Sequence, residues 1–140
     1  MSQPSKLKIA QALAFYSGEP IPKNTKSRKN NRPEQAILNA VLKTIRLHPQ
    51  VAWVERMNTG AIKIDDRFIR YGFRGCSDLI GQLKNGRFLA VECKAPGGKL
   101  SEDQAAFLDQ VRKHGGVAIV AYSADDVGSV ITQQFLNSQT

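Results

Sequence analysis

The feature that most constrains this chain is the stretch 87–94, RFLAVECK, in which an apolar run ends on charged residues. Side chains alternate along a β-strand, so the odd-numbered positions 89, 91 and 93, all apolar, form one uninterrupted face. Glu92 and Lys94 share the opposite face, where an ion that is buried without compensation costs several kcal/mol. The stretch is therefore predicted as a buried strand whose charged end needs a partner.

The preceding strand offers that partner through Asp78. The strands on either side of Lys84-Asn85-Gly86 are predicted to form a β-hairpin. If the hairpin closes through this three-residue loop, Asp78 lies directly across from Glu92 and faces the same way. If it closes through a two-residue Asn85-Gly86 turn, Asp78 lies opposite Cys93 and on the other face. Asn-Gly is a strong signal for the shorter turn, so the local sequence leaves both registers open.

Two carboxylates that face each other at a few ångströms repel, and one of them is driven to take up a proton. A divalent cation reverses that preference. Oxygen ligands without a neighbouring His or Cys side chain favour Mg²⁺ or Mn²⁺ over zinc. Such an ion lowers the pKa of a bound water and neutralises charge that develops on a phosphate. Lys94 could orient that water or stabilise that charge, and stabilisation is favoured because action as a base would require a strongly depressed lysine pKa.

The order of the predicted elements indicates an α/β fold, a mixed sandwich around a central sheet. A helix begins at Pro33 with an apolar stripe at three- and four-residue spacing and ends before Pro49. Strands are predicted at 51–58, 61–64, 67–73, 78–83, 87–94 and 117–122. Two further helices are predicted, one opened by the capping-box pattern Ser101–Gln104 and one over 124–136.

The distribution of charge indicates a polyanionic partner. The 140 residues carry a net charge of +8, and residues 1–33 hold seven basic residues against one acidic residue. We predict a basic N-terminal arm over residues 1–32, with a short helix over 5–17, followed by a compact domain over 33–140. Nucleic acid is the first candidate partner of the arm, and a solubilising tail is the alternative.

Several other classes of protein are not expected. Every apolar run falls short of the ~20 residues of a membrane span. The N-terminus lacks the apolar region of a signal peptide. Cys76 and Cys93 do not have the spacing of a zinc site and are expected as free thiols in a reducing compartment. We therefore expect a cytoplasmic protein without a membrane partner.

These motifs resemble those of the PD-(D/E)XK nuclease superfamily and, within it, the virus-type replication-repair nuclease (VRR-NUC) domain. The resemblance covers about residues 33–125. It rests on Glu34-Gln35, the stretch 56–60 (RMNTG), the stretch 75–78 (GCSD), Glu92-Cys93-Lys94 and the stretch 98–104 (GKLSEDQ). Ser77 stands where the superfamily name has proline, at a position that shapes the turn and ligates nothing.

The resemblance implies a restriction-endonuclease-like α-β-β-β-α-β core and metal-dependent hydrolysis of DNA phosphodiester bonds. It implies that Glu34, Asp78 and Glu92 bind Mg²⁺ or Mn²⁺ with the backbone carbonyl of Cys93, that Lys94 is catalytic, and that Gln104 belongs to the active site. Structural alternatives exist: a favourable helix-dipole charge for Glu34, a capping box for Gln104, and a solvated strand edge for the Glu92–Lys94 pair.

Contacts with DNA are expected around the site, from Arg56, Asn58, Lys63, Arg67, Arg70, Arg74 and Lys99. Arg56 and Asn58 have the alternative of simply ending a strand and entering a turn. The resemblance implies branched DNA as the substrate, a four-way (Holliday) junction or a flap, and symmetric cutting of a junction needs a homodimer. The alternatives are a non-catalytic nucleic-acid-binding protein and a nuclease acting on single-stranded DNA or RNA.

Overall fold

A four-stranded sheet with helices on both faces organises the part of the chain described by the computed structural model, residues 32–138. The elements are α1 (Arg32–Leu47), β1 (Val51–Arg56), β2 (Gly60–Ile64), β3 (Arg67–Tyr71), β4 (Leu79–Leu83), β5 (Phe88–Cys93), α2 (Glu102–Lys113), β6 (Val117–Ala121) and α3 (Asp125–Asn137). Their ends fall within one or two residues of the predicted positions. The predicted arm up to residue 31, with its helix over 5–17, lies outside the described residues.

The sheet is mixed and its strand order is β1-β4-β5-β6. The pairs β1–β4 and β4–β5 are antiparallel, whereas β6 pairs in parallel with β5 through the α2 crossover. Strands β2 and β3 form a separate two-stranded hairpin. Apart from that hairpin, the elements from α1 to β6 follow the order α-β-β-β-α-β, which confirms the predicted restriction-endonuclease-like core with a central mixed sheet flanked by helices.

The hydrophobic core lies between one face of the sheet and the helices α1 and α3. Leu89, Val91 and Cys93 are fully buried there, as the alternation along the β5 sequence predicts. On the other face, α2 packs Leu108 and Val111 against Ala90 of β5. Among residues 32–138, no helix is long and apolar enough to cross a membrane.

The register between β4 and β5 is the one produced by the three-residue loop. Leu79 pairs with Val91 and Gln82 pairs with Phe88, so the hairpin is centred on Asn85. Gly86 has a φ of 89°, a left-handed conformation that closes a loop of this kind and that glycine adopts without strain. This register places Asp78 and Glu92 on the same face of the sheet, which settles the alternative left open by the local sequence.

The loop that leads into Asp78 is fixed against the first turn of α2. Gly75 has a φ of 82°, and a Cβ at this position would collide with the backbone oxygen of Asp103. Arg74 Nε lies 3.7 Å from Asp103 Oδ2 in the same region. Because Gln104 follows Asp103, this close approach brings the α2 N-terminus towards the end of the β4–β5 pair.

Candidate active site

Asp78 and Glu92 meet at the end of the β4–β5 pair through reciprocal hydrogen bonds. The backbone N–H of Asp78 donates to Oε2 of Glu92 at 3.2 Å. The backbone N–H of Cys93 donates to Oδ2 of Asp78 at 2.8 Å. The Glu92 side chain is only 2% exposed, and Asp78 is half-buried. The buried carboxylate of Glu92 therefore lies beside the half-buried carboxylate of Asp78.

Lys94 and Gln104 both bind the remaining oxygen of Glu92. Lys94 Nζ lies 3.1 Å from Oε1 of Glu92, and the lysine side chain is 12% exposed. Gln104 Nε2 donates to the same oxygen at 2.6 Å. With the Asp78 N–H on its other oxygen, the Glu92 carboxylate is held by three donors from three positions in the chain, which fixes its orientation.

Gln104 completes the capping box and also contacts Glu92. Its backbone N–H donates to Ser101 Oγ and its Oε1 accepts from the Ser101 backbone N–H at 2.9 Å, which completes the capping box of α2. Its Nε2 is directed to Glu92. The cap fixes the amide, and the amide in turn orients a carboxylate of the site.

Burial and the charge of neighbouring carboxylates both shift the pKa values of the groups at this site. Burial, followed by the nearby charge of Asp78, raises the pKa of Glu92 to about 7, against the opposing effect of Lys94. Burial and the same two carboxylates raise the pKa of Cys76 to about 11 and that of Cys93 to about 12. Both thiols are therefore protonated and inert near neutral pH, and the site favours a cation.

The donor set fits a hard divalent cation, since both side-chain ligands on offer are carboxylates. Within residues 32–138, no third His, Cys, Asp or Glu side chain joins Asp78 and Glu92 in a ready-made cluster. Glu34 is exposed in the first turn of α1, although its charge is close enough to contribute to the raised pKa of Cys93. The structure thus brings Asp78, Glu92, Lys94 and Gln104 together and leaves Glu34 outside that group.

The raised pKa of Glu92 predicts how the stability of the metal-free protein depends on pH. Between pH 4.5, the ordinary pKa, and about pH 7, the folded state retains a proton that the unfolded state releases. The free energy of unfolding should therefore fall by about 3 kcal/mol as the pH rises through this window, because one pKa unit corresponds to about 1.4 kcal/mol.

Urea titrations in EDTA at the two ends of the window measure this change. The matched variant is Glu92→Gln, which keeps the size of the side chain and has no titratable proton. We expect its stability to lack this component of the pH dependence. Equal pH dependence of the wild type and Glu92→Gln would contradict the raised pKa.

The residues predicted to contact DNA fall into three groups. Lys63, Arg67 and Arg70 are exposed on the β2–β3 hairpin, and Asn58 and Lys99 are exposed in loops. Arg56, at the end of β1, donates from Nη2 to Oε1 of Gln35 at 3.1 Å. Arg74 is occupied by its ion pair with Asp103.

Two contacts that frame the site were absent from the sequence-based expectation. Tyr122, just after β6, donates its hydroxyl to the carbonyl of Gly98 at 3.2 Å and so fastens the loop that follows Lys94. Gln35 joins α1 to β1 through Arg56. A signal existed for Gln35, which adjoins Glu34 in the first motif, but none marked Tyr122, because its contact joins residues that are distant in sequence.

Comparison with known proteins adds one finding. The family model of the VRR-NUC domain matches residues 26–125 of the chain. The matched region contains all the elements from α1 to β6, and with them all four residues that converge at the end of the β4–β5 pair. No curated protein and no solved structure matches the chain.

Proposed function

The chain belongs to the VRR-NUC family of nucleases, and on that premise we propose that it is a metal-dependent endonuclease that hydrolyses DNA phosphodiester bonds. One observation carries the proposal: Asp78 and Glu92 present adjacent carboxylates, with Lys94 Nζ 3.1 Å from the buried one. A structural ion pair alone needs one acid for one base. The second carboxylate instead adds repulsion, which a divalent cation relieves.

Asp78, Glu92 and the backbone carbonyl of Cys93 would hold Mg²⁺ or Mn²⁺, with Glu34 as a further ligand from α1. The bound ion would supply an activated water and neutralise charge on the phosphate under attack. Gln104 keeps Glu92 in one orientation by donating to its Oε1. The reciprocal bond from the Cys93 N–H does the same for Asp78.

Lys94 stabilises the charge that develops on the phosphate in the transition state. Its ammonium has three N–H donors, and Glu92 takes one of them in the structure. The side chain is largely buried, so its charge acts through a medium that screens it less than water does. A phosphate that approaches Asp78 and Glu92 also approaches the remaining donors of Lys94.

For the substrate we propose branched DNA, a four-way junction or a flap, cut by a homodimer during DNA repair. The support is the family membership and the exposed basic residues Lys63, Arg67, Arg70 and Lys99. In this proposal the basic residues of the segment 1–32 add contacts to DNA phosphates, and residues 33–140 carry the nuclease activity.

Incubation with labelled substrates in the presence of Mg²⁺, Mn²⁺ or EDTA tests this function. The substrates are a four-way junction, a flap, a perfect duplex, single-stranded DNA and RNA. We expect cleavage of DNA in either metal, fastest on the branched substrates, and none in EDTA. Cleavage that persists in EDTA would contradict the metal-dependent mechanism. Binding without cleavage would point to a non-catalytic nucleic-acid-binding protein, and preferential cutting of single strands or RNA would reassign the substrate.

A further inference from the structure

The β2–β3 hairpin presents two chemically different faces. In the register Ala61–Arg70 and Lys63–Phe68, one face carries Ala61, Lys63, Phe68 and Arg70, which we name the basic–aromatic face. The opposite face is mostly apolar, with Ile62 buried and Ile69 half-buried. The apolar face accounts for the folding of the hairpin.

Every residue of the basic–aromatic face is exposed, and Phe68 is 71% exposed. The Lys63 ammonium lies 5.6 Å from the centroid of the Phe68 ring. This face contains no acidic residue, and neither Lys63 nor Arg70 forms an ion pair with any of residues 32–138. An exposed aromatic ring that has one cation across the strand pair and a second two residues along the strand suits a ligand that is both planar and anionic, as a nucleotide is.

One leg of the hairpin is attached beside the candidate active site, and the other leg packs on the first. Where β1 ends, the backbone N–H of Met57 donates to the carbonyl of Asp78 at 2.8 Å. Where the hairpin returns, Gly72 packs so closely on Thr59 that a Cβ there would lie 2.6 Å from its methyl carbon. Phe68 is three residues from the end of β3, roughly 10 Å along the strand. Six residues separate Met57 from Lys63, the strand partner of Phe68, so the path along the chain from Asp78 to Phe68 is at most roughly 25 Å, the length of several nucleotides.

We propose that the basic–aromatic face is a subsite for an unpaired nucleotide of the DNA substrate, with the base stacked on Phe68 and the flanking phosphates bound by Lys63 and Arg70. This inference rests on the proposed nuclease function. It explains how such an enzyme would select DNA that contains an unpaired base over a perfect duplex. In a duplex the bases are stacked on each other and hide their faces. At a branch, bulge or single-stranded end, a base face is available to the ring.

The probe is a DNA duplex with one unpaired 2-aminopurine, compared with the same duplex in which the 2-aminopurine is paired. Both are titrated with the full-length protein in EDTA, where the proposed cleavage is blocked. We expect the wild type to quench the unpaired probe by stacking. Phe68→Ala should abolish the quenching and weaken binding of the unpaired probe roughly tenfold or more. Affinity for the paired duplex should change much less.

Matched variants separate stacking from general loss of apolar surface. Phe68→Leu keeps an apolar side chain without an aromatic face and should behave as Phe68→Ala, whereas Phe68→Trp should retain the quenching. Leu47→Ala removes another exposed apolar side chain, 75% exposed on α1, and should change neither probe. A double Lys63→Ala, Arg70→Ala variant should reduce the slope of log affinity against log salt by about 2 on both probes.

Two outcomes would overturn the subsite. One is wild-type quenching and affinity in Phe68→Ala and Phe68→Leu. The other is an equal loss of affinity for the paired and unpaired probes, which would make Phe68 a structural residue. The proposed function fails on a different result, the absence of metal-dependent cleavage by the wild type. The two hypotheses are therefore judged by separate measurements.

Discussion

Replacement of Lys94 by methionine should lower the rate of DNA cleavage by roughly 10²–10³-fold or more, which is the effect of removing one preorganised donor from a charged transition state. Methionine retains an unbranched apolar stem and removes the ammonium. The Glu92 carboxylate would keep its hydrogen bonds from Gln104 and from the Asp78 N–H. The loss should appear in single-turnover cleavage of a labelled four-way junction at saturating protein, while the affinity for DNA in EDTA should be nearly unchanged.

Lys113→Met is the matched control for this variant. Lys113 lies on the surface of α2, 65% exposed, and pairs with Asp109 one turn away. The same chemical change at that position should leave cleavage unaltered, because exposed helix pairs contribute little to stability. Cleavage by Lys94→Met within a few-fold of the wild-type rate would reduce Lys94 to a structural counter-ion of Glu92.

Replacement of Asp78 by asparagine should lower cleavage at least about 10³-fold, since a metal-bound site supplies several kcal/mol of transition-state stabilisation and each 1.4 kcal/mol is a factor of ten. Asparagine has the same shape, and its carbonyl oxygen can still accept the Cys93 N–H that Asp78 Oδ2 accepts. The fold should therefore persist while one negative ligand is lost.

The same Asp78→Asn variant should be more stable than the wild type in EDTA near neutral pH. The charge of Asp78 is one cause of the raised pKa of Glu92, so its removal relieves repulsion inside the site. A variant that is less active but more stable without metal is expected if the Asp78 carboxylate serves to bind a cation. Asp109→Asn, at an exposed position on α2, is the control and should change neither property. Full cleavage activity in Asp78→Asn would contradict the assignment.

The placement of Glu92 beside Lys94 could be predicted from the sequence because strand alternation has a period of two and leaves no freedom. The pairing of Asp78 with Glu92 could not, since both hairpin registers suit Asn85-Gly86. Long-range contacts accompany the register that the structure adopts. Arg87, next to the loop, donates to the carbonyls of Gly115 and Gln134 at 2.7 and 2.9 Å, and these partners are distant in sequence.

For the β2–β3 hairpin and for Gln104, the local sequence predicts the secondary structure but not the tertiary contacts. The alternation and turn residues around Asp65-Asp66 predict strands β2 and β3, but they do not show that the pair lies outside the main sheet. The capping-box motif predicts the bond between Ser101 and Gln104. The bond from Gln104 to Glu92 depends on how α2 packs on β5, which local patterns do not encode.

The position of a bound Mn²⁺ ion tests the central assignment most directly. Crystals of the wild type grown with Mn²⁺ would give an anomalous difference peak at the ion. We expect one peak within roughly 2.1 Å of an oxygen of Asp78 and of an oxygen of Glu92, absent from Asp78→Asn. Saturating Mn²⁺ that leaves these two carboxylates without a shared peak, or a peak at the site that persists unchanged in Asp78→Asn, would contradict the account.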